Sequence, residues 1–193
     1  DADEAVLGAS SYNIAKTNGW DISHESDENN AYVSSNGAST QAIFYKNVIN
    51  TEYYKFAFEV DASSAGGIGK AGAIIYNSST NFAMIVFDVD DETYDFVEKK
   101  FKKAKPYLVV TDKNGKMNIR ALAEYNNLTD GKLKVEIVFS NGYVYCIIGD
   151  VLIHCEFISD LNVRTNPGLC TLSGGTGVRF RNYTARVLNI DEA

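Results

Sequence analysis

The feature that most constrains this chain is an alternation of apolar and polar side chains with a period of two. In residues 54–61 the large apolar side chains fall on every second position, at Tyr54, Phe56, Phe58 and Val60. Residues 132–139 repeat the same alternation. Successive side chains of a β-strand point to opposite faces, so this period predicts strands with one buried and one solvated face.

Short turn dipeptides separate the alternating segments. Asn114-Gly115, Asn141-Gly142 and Gly149-Asp150 each lie between two apolar runs, and such pairs favour two-residue hairpin turns because both residues tolerate positive φ. Residues 107–156 are therefore predicted to form an antiparallel meander, interrupted by a loop at 125–131. Further strands are predicted at residues 32–34, 41–47, 54–61, 70–77, 81–88, 168–173 and 177–188. About a dozen short strands predict an all-β antiparallel sandwich.

One segment departs from the strand period. Tyr94, Val97, Phe101 and Ala104 are spaced by three, four and three residues, between an acidic run at 90–92 and five lysines within 99–105. Acidic residues first and basic residues last complement a helix dipole, and Pro106 would end a helix. The pattern predicts one short amphipathic helix over the sandwich, whose lysines form either a solvated end or a basic docking patch.

Length and charge limit the classes of protein that the chain can belong to. Its 193 residues are enough for one domain with its own core. We expect a lead-in at residues 1–18, a single β-sandwich domain at 19–188 and a linker remnant at 189–193. The chain begins at Asp1, which suggests a mature or excised fragment. No apolar run reaches the ~20 residues of a membrane helix.

The net charge of −7 argues against nucleic acid as a partner, because affinity for nucleic acid depends on cations that neutralise phosphates. An anionic membrane surface is disfavoured for the same reason. The chain also has 12 Tyr and 10 Phe. This combination favours an uncharged polar ligand, of which sugars are one class.

The cysteines do not suggest catalysis or a metal site. Cys146, Cys155 and Cys170 are an odd number, and a turn at 149–150 would place the first two diagonally on neighbouring strands, too far apart for an easy disulfide. We predict that all three are small buried apolar residues. The chain has only two His, so it offers little for His-based catalysis or metal binding.

The densest acidic cluster lies at residues 88–92. Calcium takes six to eight oxygen ligands, and strand alternation would place Asp88 and Asp90 on one side of the chain. These two residues are the candidate ligands of a structural calcium ion, although no cofactor is required. The alternative is that the negative charge stabilises the N-terminus of the predicted helix.

Several segments together resemble a known fold family. Residues 70–77 (KAGAIIYN) and 81–88 (NFAMIVFD) are similar to the central hairpin of concanavalin A-like, laminin-G-type jelly rolls. Residues 144–153 (VYCIIGDVLI) resemble the hairpin that these domains write as v-x-v-y-v-dG-x-lv. Residues 168–171 (GLCT) and 178–185 (VRFRNYTA) resemble their closing signature. The similarity covers residues 19–188 and implies a jelly-roll sandwich.

The resemblance also implies a function. Bacterial domains of this type are often carbohydrate-binding modules of secreted or cell-surface glycan-degrading proteins, and such a module is expected to be a non-catalytic monomer within a larger chain. The Asn- and Tyr-rich composition is similar to that of surface proteins of anaerobic gut Gram-positive bacteria. Starch or another α-glucan is the preferred ligand, and fructan and host glycans are alternatives.

A sugar site needs an aromatic ring against the apolar face of the sugar and side chains that pair with its hydroxyls. Tyr76 ends its strand where the family often has a ligand-facing residue. The other candidates are polar or aromatic residues on predicted loops or on the polar sides of strands, namely Tyr94, Arg120, Glu124, Tyr125 and Arg179. For each Tyr, packing with only its hydroxyl at the surface is the alternative.

Two other functions stay open. A protein-binding adhesion or assembly module would show a broad exposed apolar patch. A glycoside hydrolase would need two carboxyl groups about 5–9 Å apart, such as Glu59 with Asp88 or Glu124. Jelly-roll glucanases carry E-x-D-x-x-E on one strand, and Glu59 and Asp61 match its beginning, but Ser64 replaces the last acidic residue. Glu59 and Asp61 are therefore expected to face solvent or a ligand groove.

Overall fold

The computed structural model describes residues 20–22, 32–35, 41–44, 51–66, 68–78, 80–112, 114–172, 174 and 177–188. The predicted lead-in and the whole of the predicted linker thus lie outside the described residues. The strands are β1 (Trp20–Ile22), β2 (Val33–Ser35), β3 (Gln41–Phe44), β4 (Tyr53–Asp61), β5 (Gly69–Tyr76), β6 (Phe82–Val89), β7 (Tyr94–Asp95), β8 (Lys100–Phe101), β9 (Pro106–Thr111), β10 (Met117–Ala121), β11 (Leu133–Ser140), β12 (Tyr143–Ile148), β13 (Val151–Phe157), β14 (Asn166–Leu172) and β15 (Arg179–Val187).

The strands form two stacked antiparallel sheets, so the predicted all-β sandwich is confirmed. One sheet has seven strands in the order β1-β2-β15-β4-β11-β12-β13, and the other has six in the order β10-β9-β6-β5-β14-β3. Strands β7 and β8 form a separate small hairpin. Within the described residues, helical structure is limited to short 3-10 turns at 129–131 and 159–161, and no helix could span a bilayer.

The main core lies between the inner faces of the two sheets and follows from the period of two. Strand β4 turns Tyr54, Phe56, Phe58 and Val60 inward, as predicted, and leaves its other residues half-exposed. Phe56 meets the ring of Tyr183 from β15 edge-on, with centroids 4.8 Å apart. Burial of such rings dominates the energetics of a core of this kind.

A second apolar cluster covers the outer face of the six-stranded sheet. Its members are Ile74, Met84, Val86, Val109, Cys170 and Leu172, and all are buried. Gly72 belongs to the same face, and a Cβ atom there would lie 2.0 Å from the carbonyl oxygen of Ile85 on β6. The glycine therefore permits a close approach of β5 to β6 that no other residue allows.

The predicted helix is wrong, since residues 94–101 form the β7–β8 hairpin. Tyr94 and Phe101, which the predicted helix would place on one face, are in contact for a different reason. They are cross-strand partners with ring centroids 4.8 Å apart. The turn is held by the Asp95 carboxylate, which accepts the backbone N–H groups of Val97 and Glu98. Lys99 has a φ of 58°, which an α-helix excludes.

The predicted single meander is also divided between the two sheets. Strands β9 and β10 pair in the six-stranded sheet, whereas β11, β12 and β13 pair in the seven-stranded sheet. The segment at 122–132 is thus a crossover and not a loop within one sheet. A period of two reports which side chains alternate but carries no information about which sheet a strand joins.

Two of the three predicted hairpin turns are confirmed. Asn141 and Gly142 both have positive φ, as do Gly149 and Asp150, and each pair directly joins two strands. The third turn is longer than predicted. There the Asp112 carboxylate accepts the N–H groups of Asn114 and Lys116, so Asp112 organises a five-residue loop at 112–116.

The cysteines are free, but the prediction that all three are buried is wrong for one. Cys146 and Cys170 are buried, and Cys155 is exposed. The register between β12 and β13 shifts after Cys146. Cys146 pairs with His154, and Cys155 therefore lies opposite Tyr145 on the outer face of the sheet. Burial raises the pKa of the Cys146 thiol to about 12, so this thiol is inert at neutral pH.

Candidate functional site

A polar cleft lies where the outer face of the seven-stranded sheet meets the β7–β8 hairpin. It consists of two adjoining cavities, of about 570 and 360 Å³, which share Glu59 and Asn182 in their walls. We call it the main cleft. Its polar walls include Glu59, Asp61, Tyr94, Lys100, Lys132, Arg181 and Asn182.

A β-bulge in β15 supplies one wall of the main cleft. The register with β4 shifts between Arg181 and Thr184, and Asn182 has a φ of 51°. The extra residue lets Tyr183 turn inward to the core while Asn182 stays exposed. Asn182 Nδ2 then donates a hydrogen bond to Glu59 Oε2 across a distance of 2.7 Å.

Asp61 is held in the wall by two groups. Its Oδ2 accepts a hydrogen bond from Arg181 Nε at 2.8 Å, and its Oδ1 accepts the backbone N–H of Ser63 at 2.9 Å. Burial on its own raises the pKa of Asp61, but the hydrogen bonds from Ser63 and the charge of Arg181 lower it below its usual value. Asp61 is therefore a charged hydrogen-bond acceptor at neutral pH.

Tyr94 brings a phenol to the cleft, although its ring is only 3% exposed. The ring is fixed edge-on between Phe96 and Phe101, with centroids 5.0 and 4.8 Å away. Burial, together with the charges of Asp61 and Asp95, raises the pKa of Tyr94 to about 12. Its hydroxyl group thus keeps its proton at neutral pH and remains able to donate.

Lysines from the hairpin and from the crossover line the remaining wall. The crossover turns at Gly131, which has a φ of 66°, and a Cβ atom there would lie 2.6 Å from Lys100 Cβ. Glycine therefore lets the crossover lie directly against the stem of Lys100. Lys99 is anchored differently, because its Nζ donates to the Ser63 carbonyl oxygen at 3.2 Å.

Of the six residues predicted to bind sugar, only Tyr94 lines the main cleft, and Arg179 lies beside it. Arg179 and Arg181 both lie over the ring of Tyr32, with Cζ 4.1 and 5.1 Å from its centroid. Arg179 faces away from the buried Phe180, as predicted. These contacts place Arg179 next to the wall formed by Arg181.

The other four candidates lie elsewhere. Tyr76 packs against the second apolar cluster on the opposite outer face of the sandwich. Glu124 and Tyr125 belong to the crossover, where the Glu124 carboxylate pairs with Lys103 at 3.1 Å and the Tyr125 ring packs against the main core. Arg120 lies on β10 at the edge of the six-stranded sheet. The candidates therefore do not form one shared site.

The candidate calcium ligands are engaged by protein groups. Asp88 pairs with Lys70 Nζ at 2.9 Å and accepts the hydroxyl group of Tyr107 at 2.8 Å. Asp90 Oδ1 accepts three hydrogen bonds, from the backbone N–H groups of Glu92 and Thr93 and from the Thr93 hydroxyl group. Among the described residues no group of three or more His, Cys, Asp or Glu is placed to hold a metal ion.

The carboxyl pair Glu59 and Asp88 is excluded as an acid/base pair. Glu59 lies on the outer face of the seven-stranded sheet, and Asp88 lies on the outer face of the six-stranded sheet, with the core between them. Two carboxyl groups that attack one glycosidic bond must flank the same cleft. Glu59 and Asp61 were expected to face solvent or a ligand groove, and both line the main cleft.

The sequence reasoning missed Asn182 and Arg181 as wall residues. A signal was present, because both lie inside the closing F-x-N signature at residues 180–182. Asn is the residue besides glycine that most readily adopts positive φ, so an Asn within a strand pattern indicates a bulge. Lys100 and Lys132 had no comparable signal, since a crossover and a hairpin bring them together.

Solved structures share the fold of this chain at low sequence identity. The GH43 BlXynB protein from Bacillus licheniformis matches with a TM-score of 0.55 and 14% identity over 81% of this chain and 33% of that protein. A protein of unknown function from Saccharomyces cerevisiae matches with a TM-score of 0.58 and 12% identity over 93% of this chain and 98% of that one. This chain thus spans about a third of the GH43 protein.

A carbohydrate-binding module, CBM66 from Bacillus subtilis, matches with a TM-score of 0.50 and 16% identity over 87% of this chain and 95% of the module. No protein-family model matches the sequence, and no curated protein has a similar sequence. This chain therefore has a β-sandwich fold that is structurally similar to the CBM66 module and to part of GH43 proteins.

Proposed function

We propose that this domain is a non-catalytic carbohydrate-binding module and that the main cleft is its glycan site. The observation that carries the proposal is the set of fixed donors and acceptors around one cavity, in which Asn182 positions Glu59 and Arg181 positions Asp61. The fold similarity to a CBM66 module supports the same function. Fold alone does not assign a ligand, so the proposal depends on the cleft.

The size and chemistry of the main cleft suit a sugar. Its larger cavity, of about 570 Å³, lies within the range of ~300–1,000 Å³ of small-molecule sites. Carboxylates accept hydrogen bonds from sugar hydroxyl groups, whereas the Tyr94 phenol and the lysine ammonium groups donate to them. Hydrogen bonds to charged groups contribute about 1.5–3 kcal/mol each, which favours a ligand rich in hydroxyl groups.

The state of the carboxylates favours binding over hydrolysis. A glycosidase needs a carboxylic acid that keeps its proton near neutral pH, and burial in an apolar pocket usually provides it. The pKa of Asp61 is instead lowered by Ser63 and Arg181, against the effect of burial. Glu59 is held by the Asn182 amide in the same wall. We therefore propose that Asp61 does not act as a general acid.

We propose starch or another α-glucan as the first ligand to test, and a bacterial secreted or cell-surface protein as the parent of this module. Both proposals rest on the resemblance of the sequence to bacterial carbohydrate-binding modules. In this setting the domain holds a larger protein on a polysaccharide. Its acidic net charge of −7 suits a neutral polysaccharide better than an anionic one.

Affinity electrophoresis tests this function directly. The purified domain is run through native gels that contain starch, amylopectin, levan, xylan, β-glucan or mucin. One polysaccharide should retard the domain without the release of reducing sugar. The double variant Glu59→Gln/Asn182→Ala removes two hydrogen-bonding groups of the cleft and should weaken the retardation about tenfold or more. A tenfold loss of affinity corresponds to about 1.4 kcal/mol.

A matched control removes an ion pair outside the cleft. Lys105 pairs with the exposed Glu92 at 3.4 Å, so Lys105→Ala alters surface charge without touching the cleft walls. Its retardation, measured relative to its own mobility in a gel without polysaccharide, should equal that of the unmodified domain. If no polysaccharide retards the domain, or if the cleft variant and the control behave alike, the assignment of the main cleft fails. Release of reducing sugar would overturn the non-catalytic part of the proposal.

A protein-binding adhesion module is the second candidate, and one observation favours it. The β12–β13 hairpin exposes several large apolar side chains, with Tyr143 at 47%, Leu152 at 55% and Phe157 at 45% exposure. An exposed apolar group of this kind often marks an interaction surface. Failure of all the polysaccharides, combined with specific capture of a protein that Leu152→Asp abolishes, would favour this function.

A further inference from the structure

A second cleft opens at the far edge of the sandwich. There the β9–β10 edge of the six-stranded sheet faces the end of β13 and the turn that follows it. The open cavity measures about 370 Å³ and shares no lining residue with the main cleft. We call it the edge cleft, and its walls include Leu108, Val110, Arg120, Glu156, Phe157 and Asp160.

An ion-pair network crosses the edge cleft and joins the two sheets. Glu156 Oε1 on β13 accepts a hydrogen bond from Arg120 Nη2 on β10, and it lies 3.0 Å from His154 Nε2. Burial raises the pKa of Glu156, but Arg120 and His154 lower it below its usual value, so the carboxylate is charged. Among the described residues the Arg120 guanidinium bonds only to Glu156, which leaves further guanidinium N–H groups available.

Apolar surfaces complete the edge cleft. Leu108 and Ile158 are buried side chains among its lining residues. Phe157 is 45% exposed, and its ring lies 5.0 Å from the ring of Tyr143. Gly142 makes this arrangement possible, since a Cβ atom there would lie 2.6 Å from the Phe157 ring. Phe157 pairs with Tyr143, whereas Glu156 pairs with the buried Val144. The Phe157 ring therefore lies on the outer face of β13, at the rim of the cleft, and the Arg120–Glu156 pair lies inside it.

The charges of the edge cleft select an uncharged ligand. One guanidinium, on Arg120, faces two carboxylates, on Glu156 and Asp160. An anionic ligand would meet an excess of negative charge, whereas a hydroxyl-rich ligand can accept from Arg120 and donate to Glu156. The apolar face of a sugar ring can lie against the half-buried Val110. A neutral glycosyl unit fits all of these groups.

We propose that the edge cleft is a second glycan site, which binds one uncharged glycosyl unit and makes the domain bivalent. The choice of a sugar rests on the proposed function, but the site does not, because it is formed by other residues. Strand β13 is three strands away from β4 in the sheet order, which corresponds to roughly 14 Å at about 4.8 Å per strand. Two sites so separated can hold two stretches of a polysaccharide and raise its avidity.

Four forms of the domain separate the two sites. They are the unmodified domain, the main-cleft variant Glu59→Gln/Asn182→Ala, the edge-cleft variant Arg120→Ala/Glu156→Gln and the combination of all four substitutions. Each is run through gels with a series of concentrations of starch, amylopectin, levan, xylan, β-glucan and mucin. Arg120→Gln alone serves as a milder edge-cleft variant, and thermal unfolding shows that each form is folded.

Each two-residue variant should still bind the polysaccharide, with an affinity at least about tenfold weaker than that of the unmodified domain. The combined variant should not be retarded at all. Unchanged retardation of both edge-cleft variants, with retardation lost in the main-cleft variant, would overturn the second site and leave the proposed function intact. Retardation lost in the edge-cleft variants and unchanged in the main-cleft variant would overturn bivalence. Absence of any retardation of the unmodified domain would overturn both proposals.

Discussion

The outer faces of the two sheets have opposite character, although both come from strands with the same period of two. On the six-stranded sheet, Val86, Val109 and Cys170 have 0% exposure. The ion pair there, between Asp88 and Lys70, is itself partly buried. On this face the outward residues pack as a second core, which leaves little room for a ligand.

The outer face of the seven-stranded sheet carries charged pairs that water can reach. Lys55 and Glu136 are 3.1 Å apart and both about one-third exposed. Arg181 and Asp61 pair in the wall of the main cleft. The difference shows that the outward residues of a sandwich can pack as a second core on one face and stay in contact with water on the other. The predictions below test this division.

Thiol reactivity gives the largest expected difference between the two faces. Cys155 is exposed on the seven-stranded sheet, and Cys170 is buried on the six-stranded sheet, where burial raises the pKa of its thiol. Ellman's reagent should modify Cys155 on the order of 1,000-fold faster, because Cys170 must wait for an opening of the fold. Cys155→Ser should abolish the fast phase. Fast modification of Cys170 in the folded Cys155→Ser variant would contradict the burial of this face.

Truncation of an apolar side chain should distinguish the faces next. Met84→Ala removes a buried side chain from the second cluster and should lower the free energy of unfolding by about 2–4 kcal/mol. Ile147→Ala removes a half-exposed side chain from the seven-stranded sheet and should cost about 1 kcal/mol or less. Urea denaturation measures both. Equal losses would mean that the two faces contribute alike to stability.

Removal of one charge from each face should give a smaller difference. Asp88→Asn leaves Lys70 and the Tyr107 hydroxyl group without their anionic partner in a partly buried site, and should cost about 1–2 kcal/mol. Glu136→Gln breaks an exposed pair with Lys55 and should cost about 0.5 kcal/mol or less. The measurement is again the midpoint of urea denaturation. A larger loss of stability for Glu136→Gln than for Asp88→Asn would mean that the seven-stranded face contributes more to stability.

The pH dependence of stability should show the smallest effect. The pKa of Asp61 is lower in the folded chain than the unfolded value of about 3.9. Its contribution to stability is therefore complete above the unfolded pKa and is lost as the pH falls through the lower folded-state pKa. Unfolding of Asp61→Asn should consequently depend less on pH below about 4 than that of the unmodified domain.

The exposed turn residue Asp150 provides the control for this measurement. Asp150→Asn keeps a residue that accepts its positive φ of 69° and leaves the Arg181 pair in place. It should retain the acid-induced loss of stability of the unmodified domain. Equal behaviour of the two variants would show that Asp61 does not gain stability from Arg181 and Ser63.

Local patterns predicted much of the fold because the forces behind them are local. Alternation in residues 54–61 predicted β4 to within one residue, and the turns at 141–142 and 149–150 were predicted with their positive φ. The same reasoning failed at residues 94–104, where a spacing of three and four suggested a helix. These residues form a hairpin instead, which is stabilised by the cross-strand contact between Tyr94 and Phe101 and by the turn at Asp95.

The candidate sites were predicted less well, because each is assembled from distant segments. The Asn182 and Glu59 side chains that share a hydrogen bond are 123 positions apart, and Arg120 and Glu156 are 36 apart. No pattern within one strand reports such a pair. Single residues such as Tyr94 could be proposed from residue type and predicted position, but their neighbours could not.

By itself the sequence determined that the chain forms strands, which side chains of those strands face the core and where two of the tight hairpins turn. These properties depend on side-chain alternation and on residues that tolerate positive φ, and both act over a few positions. The tertiary structure alone decided which sheet each strand joins, that β15 contains a bulge and that charged groups from distant strands meet in two clefts. Those properties depend on packing between segments far apart in the chain, where many arrangements satisfy the same local pattern.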